Sequence, residues 1–247
     1  MTVDEHVLAR TTALVTGGAG GIGAAIVRAL SAQGARVTVL DSSPLAEAVA
    51  EEVGGRAVVG DIRSERVLLE AVSCSTSSTG GLDILVNAAG IQVRTAAVEI
   101  ASDAWQRLLD INLTAAYNLI KLAKQPLSIA RGAIVNVASL SADRAVAGIA
   151  PYGSTKAALV QLTKGLAVEL GPEGIRVNAV APGYIDTPMT AEVLDDPDFR
   201  SRVLTRIPLR RLADGEDVAD VVAFLVSKHA RYVTGVVLPV DGGYSIT

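Results

Sequence analysis

The sequence contains one cysteine, Cys74, and two histidines, His6 and His229, among 247 residues. A single cysteine excludes an internal disulfide and any cysteine-based metal site, and two imidazoles offer little else to a metal, so metal-independent chemistry is the expectation. Aromatic residues make up only 3% of the chain, which leaves Ala, Val, Leu and Ile to fill the core. Basic charge is also short: 22 Lys and Arg against 26 Asp and Glu leave a net charge of −4. With a pI near 5.3, no broad basic face is available to neutralise phosphates, so nucleic acid is not an expected partner. The mean hydropathy of +0.40 invites a membrane reading, but no uninterrupted apolar run reaches the roughly 18 residues that a spanning helix needs. Met1 to Arg10 has no apolar stretch of the kind found in secretory signals, so a cytoplasmic location is expected.

What the chain does have is material for one large interior. Half of its residues are hydrophobic and 19% are charged, which excludes intrinsic disorder, and the length suits a single domain spanning 1–247. Short β-branched runs at Ala13–Thr16, Arg36–Leu40, Ala57–Val59, Ile84–Val86, Ala133–Val137, Arg176–Val180 and Val236–Val240 read as seven strands separated by segments of helical period. Continuous apolar strands alternating with helices predict a doubly wound α/β domain, a parallel sheet with helices on both faces. The polar stretch Cys74–Gly81 reads as a surface loop that shortens the preceding helix. Residues 188–211, charged and punctuated by proline, interrupt the rhythm and read as a flap over a site at the strand ends.

After the first strand comes Thr16-Gly-Gly-Ala-Gly-Gly-Ile-Gly23, opening the helix Ala24–Ala32. Such a turn lets the backbone approach a pyrophosphate while a helix N-terminus offers free N–H groups, although a glycine-rich turn alone is a weak signal. Gly17, Gly21, Ile22 and Gly23 are the candidate contacts. Asp41 ends the second strand 18 residues after Gly23, near the offset at which a carboxylate accepts hydrogen bonds from ribose hydroxyls and repels a 2′-phosphate. Neither Gly20 nor Ser42 is basic, so NAD is expected over NADP. Asp61-Ile62 at the third strand end is positioned for an adenine, and Asn87-Ala88-Ala-Gly90 at the fourth for close backbone approach.

Pro151-Tyr-Gly-Ser-Thr-Lys156 opens a helix in which Tyr152 and Lys156 share a face. A phenol with a pKa near 10 is a weak base at neutral pH, and a neighbouring ammonium is expected to favour its ionised form. Ser139 ends the fifth strand 13 residues upstream. On the helix after Ser102, Trp105, Leu108, Leu109, Ala116, Leu119, Ile120 and Ala123 form one apolar stripe, and Asn112 falls on it. A buried amide must find partners, so its position there points to a role.

These motifs, together with Pro182-Gly183, Ile185 and Thr187, resemble those of the short-chain dehydrogenase/reductase family over essentially the whole chain. The resemblance implies a Rossmann-type fold and an NAD(P)-dependent enzyme acting on CH–OH groups. It implies that Tyr152 exchanges a proton with the substrate oxygen, that Ser139 hydrogen-bonds that oxygen, and that Lys156 binds the nicotinamide ribose and lowers the pKa of Tyr152. Asn112 would position a water, and Ile185 and Thr187 would contact the carboxamide. Two departures are Ala88, where a second Asn is more frequent, and Thr155, where Ser often precedes the Lys.

Within the family, Ile91–Arg94, Ser139–Arg144 and the flap resemble gluconate 5-dehydrogenase and related sugar-acid dehydrogenases. Arg94 and Arg144 follow the fourth and fifth strand ends, where a guanidinium can clamp a substrate carboxylate. A sugar acid or polyol is therefore the expected small-molecule substrate. Two alternatives are a 3-oxoacyl-[acyl-carrier-protein] reductase, with Lys121, Lys124 and Arg131 meeting an acidic carrier, and a non-catalytic dinucleotide-binding sensor. The terminal segment Tyr232–Tyr244 resembles the family's tail, which implies a homotetramer.

Overall fold

A computed structural model describes residues 7–76 and 80–247. His6 and the middle of the Cys74–Gly81 loop lie outside them. Seven strands form one parallel sheet in the order β3-β2-β1-β4-β5-β6-β7. They are β1 (Thr12–Thr16), β2 (Arg36–Asp41), β3 (Arg56–Val59), β4 (Ile84–Asn87), β5 (Ala133–Val137), β6 (Arg176–Pro182) and β7 (Val237–Val240). Each matches an expected strand, with ends shifted by at most two residues. The extensions are Thr12, Asp41, Arg56, Asn87 and the pair Ala181-Pro182; apart from Ala181 they are polar or proline residues, whose side chains interrupt the apolar run while their backbones stay in the ladder.

Helices α1 (Gly21–Ala32), α2 (Leu45–Glu52) and α3 (Glu65–Ser75) precede β4. Then come α4 (Ser102–Leu109), α5 (Ala115–Ala130), α6 (Ala150–Leu170), α7 (Pro188–Leu194), α8 (Pro197–Arg206) and α9 (Gly215–Val226). Alternate residues of each strand face opposite layers. Val15, Val39, Val86 and Val135 pack with α1, α2 and α9 on one side. Leu14, Leu40, Leu85 and Ile134 pack with α3, α5 and α6 on the other. This two-sided burial is why the strands read as continuous apolar runs. Among the described residues no helix is long and apolar enough to cross a membrane.

The strand order reverses between β1 and β4, and the register there aligns Thr16 with Asn87 and Asn87 with Asn136. A crevice outside the carboxyl ends of strands at such a switch point is where ligands bind in open α/β sheets. The stripe after Ser102 departs from a single helix. A π-turn over Asp110–Thr114 separates α4 from α5, and the extra residue it inserts rotates the segment before it. Leu108, Ala116, Leu119, Ile120 and Ala123 are buried, whereas Trp105 is 37% exposed.

The 188–211 excursion is α7 and α8 rather than irregular loop. Its two ends are held together by a parallel bridge between Ile185 and Ala213 and by the Asp186 N–H donating to the Ala213 carbonyl at 2.8 Å.

Candidate active site

A cleft of about 350 Å³ opens along the carboxyl ends of the strands. At one end lies the turn after β1. Gly17 adopts φ +67°, and a Cβ there would lie 2.7 Å from the Ala89 backbone; at Gly23 a Cβ would lie 2.0 Å from the Gly17 carbonyl oxygen. Backbone atoms cannot yield at such distances, so these glycines are dictated by three segments meeting. At Gly20, by contrast, a Cβ would meet only the Gly17 carbonyl oxygen, at an ordinary contact distance of 3.5 Å. No side chain caps the N-terminus of α1, which leaves its first N–H groups available to an anion. The residues thus fit a dinucleotide pyrophosphate. Asp41 lines the same end; its two oxygens accept from Ala19 N at 3.0 Å and Ser43 N at 2.9 Å. A carboxylate has about four lone-pair sites, so acceptor capacity remains for a ribose.

Ser139, Tyr152 and Lys156 converge at the other end. Lys156, on the buried face of α6, donates from Nζ to the Val137 carbonyl at 2.8 Å, and Nζ stands 5.8 Å from the centroid of the Tyr152 ring. Both residues are buried, at 3% and 8% exposure. Burial pushes the Tyr152 phenol above its ordinary value, opposed by hydrogen bonding with Ser139. Burial also brings the Lys156 ammonium down to about 8. The sequence-based expectation of a phenol lowered by its neighbour is thus reversed in the free protein, because desolvation penalises the charged form of each group.

Asn112 sits in the π-turn, a geometry that recurs at functional positions. Its Oδ1 accepts from Ile91 N at 2.8 Å, and its Nδ2 donates to Ile91 O and to Thr155 Oγ1, each at 3.0 Å. Thr155 in turn donates to the Tyr152 carbonyl at 2.8 Å. Between these groups lies Gly90, where a Cβ would be 3.3 Å from both Asn112 Oδ1 and Lys156 Nζ. Asn112 therefore does not line the cleft; it ties the loop after β4 to α6.

Of the remaining candidates, Gly21, Ile22, Ala88, Pro182, Gly183, Ile185 and Thr187 line the cleft. Thr187 caps α7 in a reciprocal box with Thr190, and its Cγ2 lies 2.9 Å from where a Cβ on Gly21 would be. The flap is therefore rooted against the cradle. Asp61, Ile62, Asn87 and Arg144 are not among the lining residues. Asp61 is paired with Arg63, whose guanidinium donates to Oδ2 at 2.5 and 3.0 Å and to Oδ1 at 3.1 Å, and Ile62 packs against the core. Asn87 donates to Asn136 Oδ1 at 2.8 Å, and its own Oδ1 is the one buried side-chain acceptor among the described residues without a partner.

The two arginines part company. Arg94 is exposed and lines the cleft, close enough to Tyr184 to draw its pKa down against a burial effect that raises it to about 12. Arg144 instead donates to the Ser245 carbonyl, so it braces the C-terminal tail and does not face the substrate position. Arg206 holds the same tail, donating to Tyr244 Oη at 3.0 Å and the Thr247 carbonyl at 2.9 Å. Of the cations in the acyl-carrier alternative, Lys124 is paired with Glu173 at 2.8 Å. Residues that the sequence reading did not single out include Gln92, Ser141, Tyr184 and Met189, all lining the cleft. Tyr184 directly follows Pro182-Gly183 and Ser141 follows Ser139 by two, so adjacency to a recognised motif was the available signal.

A family model described as Enoyl-(Acyl carrier protein) reductase matches residues 17–245. The chain belongs to the short-chain dehydrogenase/reductase family. Oxidoreductase UcpA of Escherichia coli O157:H7 is 41% identical over 249 residues, covering 95% of this chain and 94% of the relative. A putative gluconate dehydrogenase from Agrobacterium tumefaciens superposes with a TM-score of 0.93 at 34% identity, covering 97% of this chain and 98% of that one. A gluconate 5-dehydrogenase from Burkholderia cenocepacia J2315, solved in complex with NADP and tartrate, gives 0.93 at 30% identity over 99% and 98% of the two chains. The protein is accordingly an oxidoreductase of alcohol groups that uses a nicotinamide cofactor.

Proposed function

We propose that this short-chain dehydrogenase/reductase couples NAD to a secondary alcohol or ketone of a sugar acid or polyol. The reading rests on one observation: Ser139, Tyr152 and Lys156 converge at one end of a cleft whose other end is the Gly17–Gly23 cradle and Asp41. Bound there, the nicotinamide supplies the acceptor or donor of hydride. Gly17, Gly21, Ile22, Gly23 and Asp41 hold the adenosine and pyrophosphate side, joined by Ala88, Gly90 and the backbone of Asn87. Asp61 and Ile62 flank the adenine, while Pro182, Gly183, Ile185 and Thr187 hold the carboxamide side.

Tyr152 Oη takes the hydroxyl proton of the alcohol during oxidation and returns it during reduction. Ser139 Oγ donates to the same substrate oxygen and keeps it within reach. Lys156 lies against Tyr152 with one donor on Val137, leaving two of its three N–H groups for ribose hydroxyls. A ribose and substrate that displace water from this end place the ammonium as the nearest compensation for a developing phenolate. Asn112 fixes the loop carrying Gly90 and Ile91 and so keeps the Lys156 head in register, next to a water path to solvent.

NAD is favoured because Asp41 faces the cradle, and the only cationic residues among the described lining residues are Arg94 and Lys156. Lys156 stands beside Tyr152 and Arg94 beside Tyr184, at the end of the cleft opposite the cradle, so neither neutralises a 2′-phosphate next to Asp41. A carboxylated substrate is favoured by Arg94, and the neighbour in complex with tartrate supports a cleft for such an anion. The flap over 188–211 covers this end. Exposed Tyr117, Val168, Phe224 and Leu238 suit a homotetramer, which sedimentation would test. The experiment for the reading as a whole is the initial rate of reduced-cofactor formation with sugar acids, polyols, secondary alcohols and 3-hydroxyacyl thioesters, with NAD and NADP in parallel. Turnover of a sugar acid or polyol with NAD is expected. Turnover of the thioester alone favours the acyl-carrier alternative, and a preference for NADP overturns the role of Asp41.

A further inference from the structure

Ser139 is followed by a 3-10 turn, Leu140–Ala142, and the third residue of Ser139-Leu140-Ser141 turns back onto the first. Ser141 donates to Ser139 Oγ twice, from its backbone N–H at 3.2 Å and from its own hydroxyl at 2.9 Å. A serine hydroxyl has one proton to give and two lone pairs to accept with. Both lone pairs of Ser139 Oγ are thereby occupied, and only its proton is left to face the cleft. We infer that Ser141 is a positioning residue that forces Ser139 to act as a donor, toward Tyr152 Oη before substrate binds and toward the substrate oxygen once it is bound, and prevents it from accepting the phenol's proton instead. This assignment rests on the proposed function for its consequence in turnover, but the hydrogen-bond arrangement stands independently of substrate.

A second observation fixes the turn in place. Gly153, directly after Tyr152, would carry a Cβ only 2.7 Å from the Ser141 carbonyl oxygen. The absence of a side chain at Gly153 lets the first turn of α6 close against Ser141, so Tyr152 and the Ser139–Ser141 pair are held by one contact. Ser141 is buried, at 9% exposure, yet lines the cleft beside Ser139. Its hydroxyl is spent on Ser139 and not on the nearby backbone. The direction of its effect follows: hydrogen bonds donated to a phenolate favour ionisation, and hydrogen bonds accepted from the neutral phenol oppose it. With Ser141 in place Ser139 can only do the first.

The test compares Ser141→Ala with Ser141→Thr, which keeps the hydroxyl. The NAD-bound enzyme is labelled with 13Cζ-tyrosine, and the Tyr152 resonance is assigned by its loss in Tyr152→Phe. Ser141→Ala is expected to raise the Tyr152 titration midpoint by about 0.5–1 pH unit and to lower kcat below that midpoint about three- to tenfold, the worth of one neutral hydrogen bond. The threonine variant restores both. Gly153→Ala, which displaces the turn by its backbone, moves the midpoint in the same direction and serves if Ser141→Ala does not fold. An unmoved midpoint in Ser141→Ala, or a shift that Ser141→Thr does not restore, overturns the assignment. If the midpoint shifts while the wild-type enzyme turns over no sugar acid, polyol or secondary alcohol, the assignment holds and the substrate reading fails. If turnover is present and the midpoint is unmoved, the assignment alone fails.

Discussion

At Gly17 and Gly23 the cleft is shaped by atoms that are missing, whereas at Ser139, Tyr152 and Lys156 it is shaped by atoms that are present and paired, with Asn112 tying the adjoining loop to α6. The cradle end works through backbone approach: 2.0 Å from a hypothetical Cβ to a carbonyl leaves no room for any other residue. The opposite end works through a run of directed hydrogen bonds, from Ile91 through Asn112 and Thr155 to the Tyr152 carbonyl. Adding an atom should therefore break the first end and removing one should break the second. The two kinds of damage should separate cofactor binding from chemistry.

The largest effect is expected from Tyr152→Phe, which removes the hydroxyl proposed to exchange the substrate's proton. Steady-state assays should show kcat lower by about 10²–10⁴-fold, the range for positioned proton transfer. Gly23→Ala attacks the cradle instead. Forcing the turn apart should cost about 1–3 kcal/mol of stability in denaturant melts, as overpacking does, and should weaken cofactor binding far more than it changes the chemical step.

A third prediction concerns pH. Lys156 has a folded pKa of about 8 against an ordinary 10.5. Between those values the unfolded chain binds the extra proton, so stability should rise with pH across that window, by on the order of 3 kcal/mol at most. The Tyr152 phenol is raised, so above pH 10 the unfolded state loses its proton first and stability should fall again. Melts of the cofactor-free protein from pH 7 to 10 should show the rise, and Lys156→Met should flatten it. The smallest effect is expected from Thr155→Val, which leaves an Asn112 N–H unpaired. A loss of about 1–3 kcal/mol is expected for a buried donor without a partner, with Thr155→Ser recovering most of it.

The same division explains what was legible in the sequence. The seven strands could be read because both faces of the sheet are buried and their apolar runs are unbroken; Thr12, Asp41, Asn87 and Pro182 escaped because strand pairing needs only their backbones. The cradle glycines and the Tyr152/Lys156 pair could be read because spacing along one element decides their placement. The π-turn at Asp110–Thr114 could not, since one inserted residue leaves the apolar pattern almost unchanged. Arg144 followed a strand end just as Arg94 did, but its direction depends on a tail a hundred residues further on. The raised Tyr152 pKa likewise depends on burial contributed by several segments, which spacing to Lys156 does not reveal. Ser141 lay in plain view two residues after Ser139, but its importance depends on where its two donors point.

The central claim, that shape holds the cofactor and paired side chains do the chemistry, is tested most directly on Tyr152→Phe. NAD binding and alcohol oxidation would be measured on the same preparation, by fluorescence titration and initial rates. The account predicts a Kd for NAD within about threefold of wild type, less than the worth of one hydrogen bond, together with turnover reduced at least a hundredfold. Loss of binding and turnover together, or turnover that survives, would contradict it.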